Sequence, residues 1–311
     1  MKKISVLILI LFLSLIVGCD IHGGSNNEYK VIMPTGTPSL ALGDFVANHA
    51  ENVDVEIVMG SDPLVAAFTN AEYDIIVAPV NLGAKFYNSN ENFQYRLYRP
   101  IVGGNYYILS NEFTTFEELD GQPITVFGAN STPDVVFRTL CAHYEINPII
   151  TYVSDVNTAN SNLLASAAQT IITAEPSKTN VLTKGDFNVI DLQELWREMS
   201  GADYDVTQAG IFVKTGLIEA EVDNILEDME ASIAMASSNA SGLVTSAMAG
   251  DSNFGKFSVE LLTEALGNCN ILPGGTNYKA DVEYYFNVLI ELGLGKSIGG
   301  KLPDDEFYAY K

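Results

Sequence analysis

The stretch Val126–Arg138, V-F-G-A-N-S-T-P-D-V-V-F-R, contains the turn from which the fold of this chain can be predicted. An apolar β-type run ends at Gly128, and small polar residues follow it. Thr132 is typical of a helix N-cap, Pro133 of the first helical position and Asp134 of an acid in the first turn. The stretch therefore predicts a strand, a short loop and a helix start. Such a turn places unpaired backbone N–H donors at one point, where a ligand can bind.

The same pattern recurs in Val31–Phe45, V-I-M-P-T-G-T-P-S-L-A-L-G-D-F. Asp62-Pro63 and Glu175-Pro176 open two further candidate helices, each shortly after an apolar β-type run. A single turn of this kind is ordinary in any α/β protein and carries no function by itself. Four of them, spread over both halves of the chain, predict two α/β lobes whose loops face each other.

The order of the elements predicts where the two lobes divide. Strand-like and helix-like stretches alternate as βαβαβ along Tyr29–Ala78, which predicts a parallel sheet that binds ligands at the carboxyl ends of its strands. Two β-type runs flank Gly103-Gly104-Asn105, as expected of a crossing between lobes, and Gln208–Val213 is the expected returning strand. We therefore expect residues 28–106 and 208–311 to form the first lobe and residues 107–207 the second.

The N-terminus has the features of a secretion signal. Lys2 and Lys3 precede the apolar run Ile4–Val17, which is shorter than the roughly 20 residues of a membrane span. The run ends in Ile-Val-Gly-Cys19, which resembles the lipobox of bacterial lipoproteins. We expect residues 1–18 to be a signal peptide, Cys19 to be lipidated and residues 19–27 to be a flexible tether. The alternative is an ordinary signal peptide in which Cys19 has no role.

The charge of the chain limits its partners. The 311 residues include 39 Asp and Glu against 16 Lys and Arg, a formal net charge of −23. Such a chain repels nucleic acids and anionic lipid surfaces, so we expect no nucleic-acid partner. We expect an extracytoplasmic protein that is held at the bacterial cell membrane only through its lipid. Cys141 and Cys269 could form a disulfide in that compartment, but their separation favours two separate buried thiols.

Further stretches carry a resemblance to a known family. In chain order they are P-T-G-T-P-S-L-A-L, Y-D-I-I-V-A-P-V-N-L, G-N-Y-Y-I-L-S, L-D-G-Q-P-I-T-V-F-G-A-N-S-T-P-D-V-V-F-R, A-E-P-S, Q-E-L-W-R-E, Q-A-G-I-F-V and G-G-K-L-P-D-D-E-F-Y. In this order and spacing the chain resembles the solute-binding proteins of ABC importers, in particular the group that binds taurine, sulfonates, nitrate and thiamine precursors.

The resemblance implies a fold, a function and partners. The fold is α/β, of the type II periplasmic-binding-protein class, with two lobes joined by two crossover strands and a ligand cleft between them. The implied function is capture of a small molecule by hinge closure and its delivery to an ABC permease with its ATPase. We expect the protein to act as a monomer. The resemblance does not imply one particular ligand.

The loops at the predicted strand ends supply the candidate ligand-binding residues. These candidates are Thr35, Gly36, Thr37, Ser61, Asp62, Asn81, Asn105, Asn130, Ser131, Thr132 and Glu175. The loops contain no Lys, Arg or His, but they contain Asp62, Asp155 and Glu175. A buried anion without a cation or paired donors is costly, so a neutral or amine-bearing ligand is favoured over a sulfonate or nitrate.

The ligand is further expected to be heteroaromatic, such as a vitamin precursor. Tyr106, Tyr107 or Phe127 could stack on its ring. A receptor for sulfonate or nitrate remains the alternative if Lys85, Arg96 or Arg99 reaches the cleft, because the sequence does not place these three cations.

An enzyme is the second hypothesis, since precursor-processing relatives of that family share its fold. A structural or adhesive surface lipoprotein is a third, but the bilobal order of elements gives it no support. Asp62, Asp155 and Glu175 could act as acids in a cleft, although carboxylates at loop ends are ordinary helix caps. No H-x-x-x-H pair, zinc-type Cys spacing or G-x-S-x-G turn occurs in the sequence. The sequence therefore predicts no catalytic residue, no metal site and no cofactor.

Overall fold

The computed structural model describes residues 28–201, 205–274, 278–308 and 310. The expected signal peptide at 1–18, the tether at 19–27 and the lipidation site Cys19 lie outside the described residues. Within the described ranges, no helix is both long and apolar enough to cross a membrane.

Strands and helices alternate along the described chain. The strands are β1 (Tyr29–Pro34), β2 (Val53–Val58), β3 (Ile75–Pro79), β4 (Tyr95–Gly103), β5 (Tyr106–Ser110), β6 (Pro123–Phe127), β7 (Ile149–Val153), β8 (Thr170–Ala174), β9 (Asn188–Asp191) and β10 (Thr207–Lys214). The α-helices are α1 (Thr37–Ala41), α2 (Gly43–Asn48), α3 (Asp62–Asn70), α4 (Val80–Ser89), α5 (Thr132–His143), α6 (Val156–Leu164), α7 (Ser177–Leu182), α8 (Leu192–Ser200), α9 (Glu219–Ser238), α10 (Ala240–Gly250), α11 (Val259–Leu266) and α12 (Tyr278–Glu291).

The strands form two five-stranded sheets with the same internal arrangement. In sheet 1, ordered β2-β1-β3-β10-β4, β1 runs parallel to β2 and β3 while β10 runs antiparallel between β3 and β4. In sheet 2, ordered β7-β6-β8-β5-β9, β6 runs parallel to β7 and β8 while β5 runs antiparallel between β8 and β9. The predicted α/β class, with two lobes and parallel βαβαβ units, is confirmed.

Two connections link the lobes. Strand β4 of sheet 1 continues into β5 of sheet 2 through Gly104 and Asn105, and the chain returns to sheet 1 after α8, in β10. A Cβ atom on Gly104 would lie 1.6 Å from Gln193 Oε1, so any larger residue at the crossing would require the Gln193 side chain of α8 to move. The lobe boundaries expected between residues 106 and 107 and between residues 207 and 208 stay predictions. Strand β5 begins at Tyr106 and strand β10 at Thr207, one residue before each expected boundary.

The apolar core continues from one lobe into the other. One cluster of buried side chains contains Ile76 of β3 together with Ile108 of β5. Trp196 of α8 and Tyr285 of α12 are fully buried, and their ring centroids lie 5.5 Å apart. Burying aromatic rings of this size stabilises the contact between the two lobes near the crossings.

The two cysteines of the described chain are buried and free. Cys141 lies in α5 and Cys269 follows α11. Burial raises the pKa of Cys141 to about 12 and that of Cys269 higher still. The prediction of two separate buried thiols is confirmed, and both stay protonated at neutral pH.

Candidate functional site

A cavity of about 190 Å³ lies between the two sheets, at the ends of their parallel strands. Residues at or just after the carboxyl ends of β1, β2 and β3 line it from one side, and those of β6, β7 and β8 from the other. Its lining comprises Pro34, Thr35, Gly36, Thr37, Pro38, Met59, Gly60, Ser61, Leu64, Pro79, Tyr106, Phe127, Gly128, Ser131, Thr132, Pro133, Ser154, Asp155, Val156, Asn157, Ala174, Glu175, Gln208 and Ala209. The cavity therefore occupies the position at which α/β sheets bind ligands.

Four helices begin at this cavity. Helices α1, α3, α5 and α6 each contribute residues of their first turn to the lining. The N-caps of α3 and α5 are Ser61 and Ser131, and neither side chain makes a capping hydrogen bond. The expected N-cap Thr132 was wrong by one residue, because Thr132 is the first residue of α5. The partial positive charges of these helix starts thus face the space between the lobes.

Seven of the eleven residues expected to bind ligand line the cavity. They are Thr35, Gly36, Thr37, Ser61, Ser131, Thr132 and Glu175. The other four, Asp62, Asn81, Asn105 and Asn130, do not line it. Asp62 is exposed on the first turn of α3, and the Asn130 backbone N–H donates to Asp134 Oδ2 at 2.7 Å.

Asn81 and Asn105 are buried behind the cavity wall, where they help to join the lobes. Thr132 Oγ1 of one lobe donates to Asn81 Oδ1 of the other at 2.9 Å. Asn105 Nδ2 donates to Thr37 Oγ1 at 2.6 Å, and Thr37 Oγ1 donates to the Glu175 carbonyl at 3.0 Å. Two expected ligand contacts are therefore replaced by hydrogen bonds within the protein that hold Thr37 and Thr132 in place.

Glu175 is buried with its own counter-charge. Its Oε1 lies 2.8 Å from Lys178 Nζ and accepts from Thr179 Oγ1 at 2.9 Å. Lys178 Nζ also lies 4.1 Å from the centroid of the Tyr107 ring, which favours a cation. Because the carboxylate is compensated from behind, Glu175 adds little net charge to the cavity.

Asp155 serves as the N-cap of α6. Its Oδ1 accepts from the Thr158 backbone N–H at 3.0 Å, and its Oδ2 accepts from Thr158 Oγ1 at 2.9 Å and Ser154 Oγ at 2.6 Å. Partial burial opposes ionisation, but the hydrogen bonds from Ser154 and Thr158 outweigh it and lower the pKa of Asp155. Asp155 is therefore ionised at neutral pH, and an ionised carboxylate can only accept hydrogen bonds.

No Lys, Arg or His is among the described residues that line the cavity. Arg99 is buried elsewhere, where its Nη1 lies 2.8 Å from Glu230 Oε2 and its Nη2 donates to the Leu272 carbonyl at 2.6 Å. Arg96 donates to the Phe93 and Tyr95 carbonyls, and Lys85 is not part of the lining. None of the three cations that the sequence left unplaced reaches the cavity.

Aromatic and aliphatic side chains form the rest of the wall. Tyr106 and Phe127 both line the cavity, with ring centroids 6.4 Å apart and an edge-to-face arrangement. Burial raises the pKa of Tyr106 well above its usual value, so its hydroxyl stays protonated. Tyr107 does not line the cavity and packs against Lys178 instead. Two of the three expected stacking residues are therefore in place.

Sequence reasoning missed several lining residues, above all Gln208 and Ala209 on β10. The strand itself was expected, but β10 runs antiparallel to β3, so Ala209 pairs with Pro79 where β3 ends. The start of β10 therefore reaches the same edge as the carboxyl ends of its neighbours. The available signal was the returning strand at Gln208, whose first residues must lie beside the crossing.

No group of three or more His, Cys, Asp or Glu side chains within the described ranges is arranged to hold a metal ion.

Comparison with known proteins relates this chain to solved structures only. No family model and no curated protein matches it. An ABC transporter structure from Parabacteroides distasonis superposes with a TM-score of 0.72 at 21% identity, covering 90% of this chain and 98% of that one. The alkanesulfonate-binding protein SsuA from Xanthomonas axonopodis pv. citri, bound to MOPS, gives 0.62 at 12% identity, with 91% and 96% covered.

A third structure extends the comparison. The periplasmic nitrate-binding protein NrtA from Synechocystis PCC 6803 gives a TM-score of 0.56 at 12% identity, covering 86% of this chain and 82% of that one. The chain therefore has the periplasmic-binding-protein fold, as its resemblance to the solute-binding proteins implied.

Proposed function

We propose that this chain is the extracytoplasmic solute-binding receptor of an ABC importer. Its ligand is a small neutral or amine-bearing heteroaromatic molecule, and it passes that ligand to a permease and its ATPase. The observation that carries the proposal is the cavity between the lobes, which has strand ends of both sheets around it and no cation in its described lining. The shared fold supports the receptor role.

Hinge closure is the proposed mechanism of capture. A ligand in the cavity contacts Thr35 and Ser61 on one lobe and Ser131 and Asp155 on the other. Such a ligand binds the closed arrangement better than an open one and shifts the population toward it. The hydrogen bond from Thr132 Oγ1 to Asn81 Oδ1 also joins the two lobes and stabilises the closed state.

The charges around the cavity argue for a ligand without net negative charge. Helix starts favour an anion by only about 0.3–1 kcal/mol each. Leaving a buried anion without a cation costs several kcal/mol. Lys178 is already paired with Glu175. Lys256 donates to Oδ1 of the lining residue Asn157 at 2.8 Å and is not itself part of the described lining. A neutral ring that lies against Tyr106 and Phe127 fits the lining better.

Binding without turnover is part of the proposal. Both carboxylates of the lining, Asp155 and Glu175, are engaged in hydrogen bonds within the protein. A general base works best with a pKa near the working pH, whereas the pKa of Asp155 is lowered and Glu175 is paired with Lys178. The two carboxylates thus have structural roles, as helix cap and as buried ion-pair partner.

Titration calorimetry with two matched panels tests the ligand class. One panel contains taurine, alkanesulfonates and nitrate; the other contains pyrimidines and flavin- and thiamine-related compounds. We expect micromolar binding within the second panel and none within the first. Micromolar binding of a sulfonate or of nitrate would contradict the ligand class while leaving the receptor role standing. Mass spectrometry of the compound that co-purifies with the protein provides an independent identification.

Lipidation at Cys19 is the proposed means of attachment, since the tether follows it and the body of the protein is acidic. We expect Cys19→Ser to abolish incorporation of labelled fatty acid in a bacterial host, because the thiol is the site of acylation. The matched control is Cys141→Ser, which removes a buried thiol and should leave acylation intact. Labelling of the Cys19→Ser protein at the wild-type level would show that the anchor lies elsewhere.

A further inference from the structure

Five hydroxyl groups of the cavity lining donate their hydrogens within the protein. The bonds are Thr35 Oγ1 to Asp251 Oδ2 at 2.7 Å, Thr37 Oγ1 to the Glu175 carbonyl at 3.0 Å, Thr132 Oγ1 to Asn81 Oδ1 at 2.9 Å, Ser154 Oγ to Asp155 Oδ2 at 2.6 Å, and Ser131 Oγ to the Gly128 carbonyl. A hydroxyl has one hydrogen and two lone pairs. These five groups can therefore only accept hydrogen bonds from a ligand.

Several backbone N–H groups of the same turns are also engaged. Those of Thr35, Gly128 and Ser131 donate to the carbonyls of Val58, Val153 and Gly128 at 2.8, 3.0 and 2.9 Å. The Gly36 N–H donates to Ser39 Oγ at 3.1 Å, and the Glu175 N–H donates to the Asn105 carbonyl at 3.3 Å. A helix start normally leaves its first backbone N–H groups free to bind a ligand. In the turns that line this cavity, several of the backbone N–H groups are already bonded within the protein.

Gln208 adds an amide to this acceptor-rich lining. Gln208 is one of the lining residues, and its side-chain Oε1 is buried without a hydrogen-bond partner among the described residues. A buried carbonyl without a partner is costly, so the site is incomplete as it stands. The last torsion of a glutamine side chain is broad, so the amide can turn its oxygen toward a bound ligand.

We infer that the cavity selects its ligand by hydrogen-bond donors, and that Gln208 is a specificity-determining residue that accepts one of them. The inference rests on the proposed function and sharpens it. The ligand carries an amino group or a ring N–H, which pairs with Gln208 Oε1 and with the lone pairs of Thr35, Ser131 and Asp155. Sulfonate and nitrate, which offer only acceptors, leave these groups unpaired.

Two pyrimidines that differ only in the substituent at position 4 test the inference on the wild-type protein. The 4-amino group of 4-aminopyrimidine donates, whereas the substituent of 4-methoxypyrimidine only accepts. We expect 4-aminopyrimidine to bind about tenfold tighter or more in titration calorimetry, since one satisfied hydrogen bond contributes about that factor. Equal affinities, or tighter binding of 4-methoxypyrimidine, would overturn the inference. They would leave the proposed receptor for neutral heteroaromatic compounds intact.

Gln208→Leu tests the role of the amide. We expect the advantage of 4-aminopyrimidine over 4-methoxypyrimidine to shrink about tenfold in this variant. Gln208→Met is a second variant with an unbranched side chain, should leucine disturb folding. The matched control is Gln122→Leu, at an exposed position directly before β6 and outside the cavity lining, which should keep the wild-type ratio.

Two further results would contradict the inference. An equal loss for both probes in Gln208→Leu would show that Gln208 does not discriminate donors, and would overturn its role. Failure of every neutral and amine-bearing compound to bind the wild-type protein would overturn the proposed ligand class and the inference with it.

Discussion

The Ala174→Trp variant is expected to lose ligand affinity by about a hundredfold while remaining folded. Ala174 ends β8, pairs with Tyr106 and lines the cavity. Its side chain is partly accessible from that space, so an indole at this position extends into the volume that a ligand would occupy. Titration calorimetry with the compound that co-purifies with the wild-type protein measures the loss.

The control for this variant is Ala142→Trp. Ala142 is exposed on α5 and is not part of the cavity lining, so the same substitution there should leave the affinity unchanged. A melting temperature of Ala174→Trp near that of the wild type separates blocked binding from unfolding. Wild-type affinity of the Ala174→Trp protein would show that the ligand binds outside this cavity.

The Lys178→Met variant is expected to lower the free energy of unfolding by about 3–5 kcal/mol. Lys178 Nζ lies 2.8 Å from Glu175 Oε1, with side-chain exposures of 10% and 0%. Methionine keeps most of the apolar stem but leaves the Glu175 carboxylate buried without a cation. Urea denaturation followed by circular dichroism measures the change.

Two further variants complete this experiment. Glu175→Gln combined with Lys178→Met removes both charges and should recover much of the lost stability, because a neutral pair avoids the uncompensated carboxylate. Lys279→Met is the surface control, since Lys279 pairs with Asp305 at an exposed site and its loss should change stability little. A loss below about 1 kcal/mol for Lys178→Met would show that the buried pair is not needed to neutralise Glu175.

The pairing of Glu175 also bears on the charge of the ligand. From the loop sequences alone, Glu175 is a free carboxylate in a cleft and attracts a cationic ligand. With Lys178 behind it, Glu175 adds little net charge, so Asp155 is the main charged group of the described lining and hydrogen-bond polarity becomes the main discriminating property. Variants of Lys178 are therefore expected to alter both stability and ligand preference, whereas variants of Gln208 alter preference alone.

Local patterns explain why so much of the fold could be predicted. Strand, small polar loop and Thr-Pro helix start occur at Val31–Phe45 and Val126–Arg138, and both stretches form these elements. The conformations of such turns depend mainly on neighbouring residues, on proline at the first helical turn and on apolar runs in the preceding strand. Seven of the expected ligand-binding residues reach the cavity for the same reason, because the ends of parallel strands share one edge of a sheet.

Side-chain direction could not be predicted in the same way. Asn81 and Asn105 lie in the expected loops, yet both turn inward to Thr132 and Thr37 of neighbouring segments far away in the sequence. A polar side chain at a loop can bind either a ligand or the protein. The choice depends on which partner the other lobe brings within hydrogen-bond distance.

The sequence by itself determined the α/β class, the two lobes and the loops that surround the cavity, since these follow from hydrophobic periodicity and local turn chemistry. It also determined that those loops lack cations. Only the tertiary structure decided that Lys178 neutralises Glu175, that five hydroxyl groups of the lining donate within the protein, and that Gln208 joins the lining. Glu175 and Lys178 are only three residues apart, but the sequence does not show that packing buries both side chains. The bonds of Thr35 and Thr132 and the place of Gln208 depend on contacts between segments distant in the chain. No local pattern specifies the register and orientation with which two packed lobes meet.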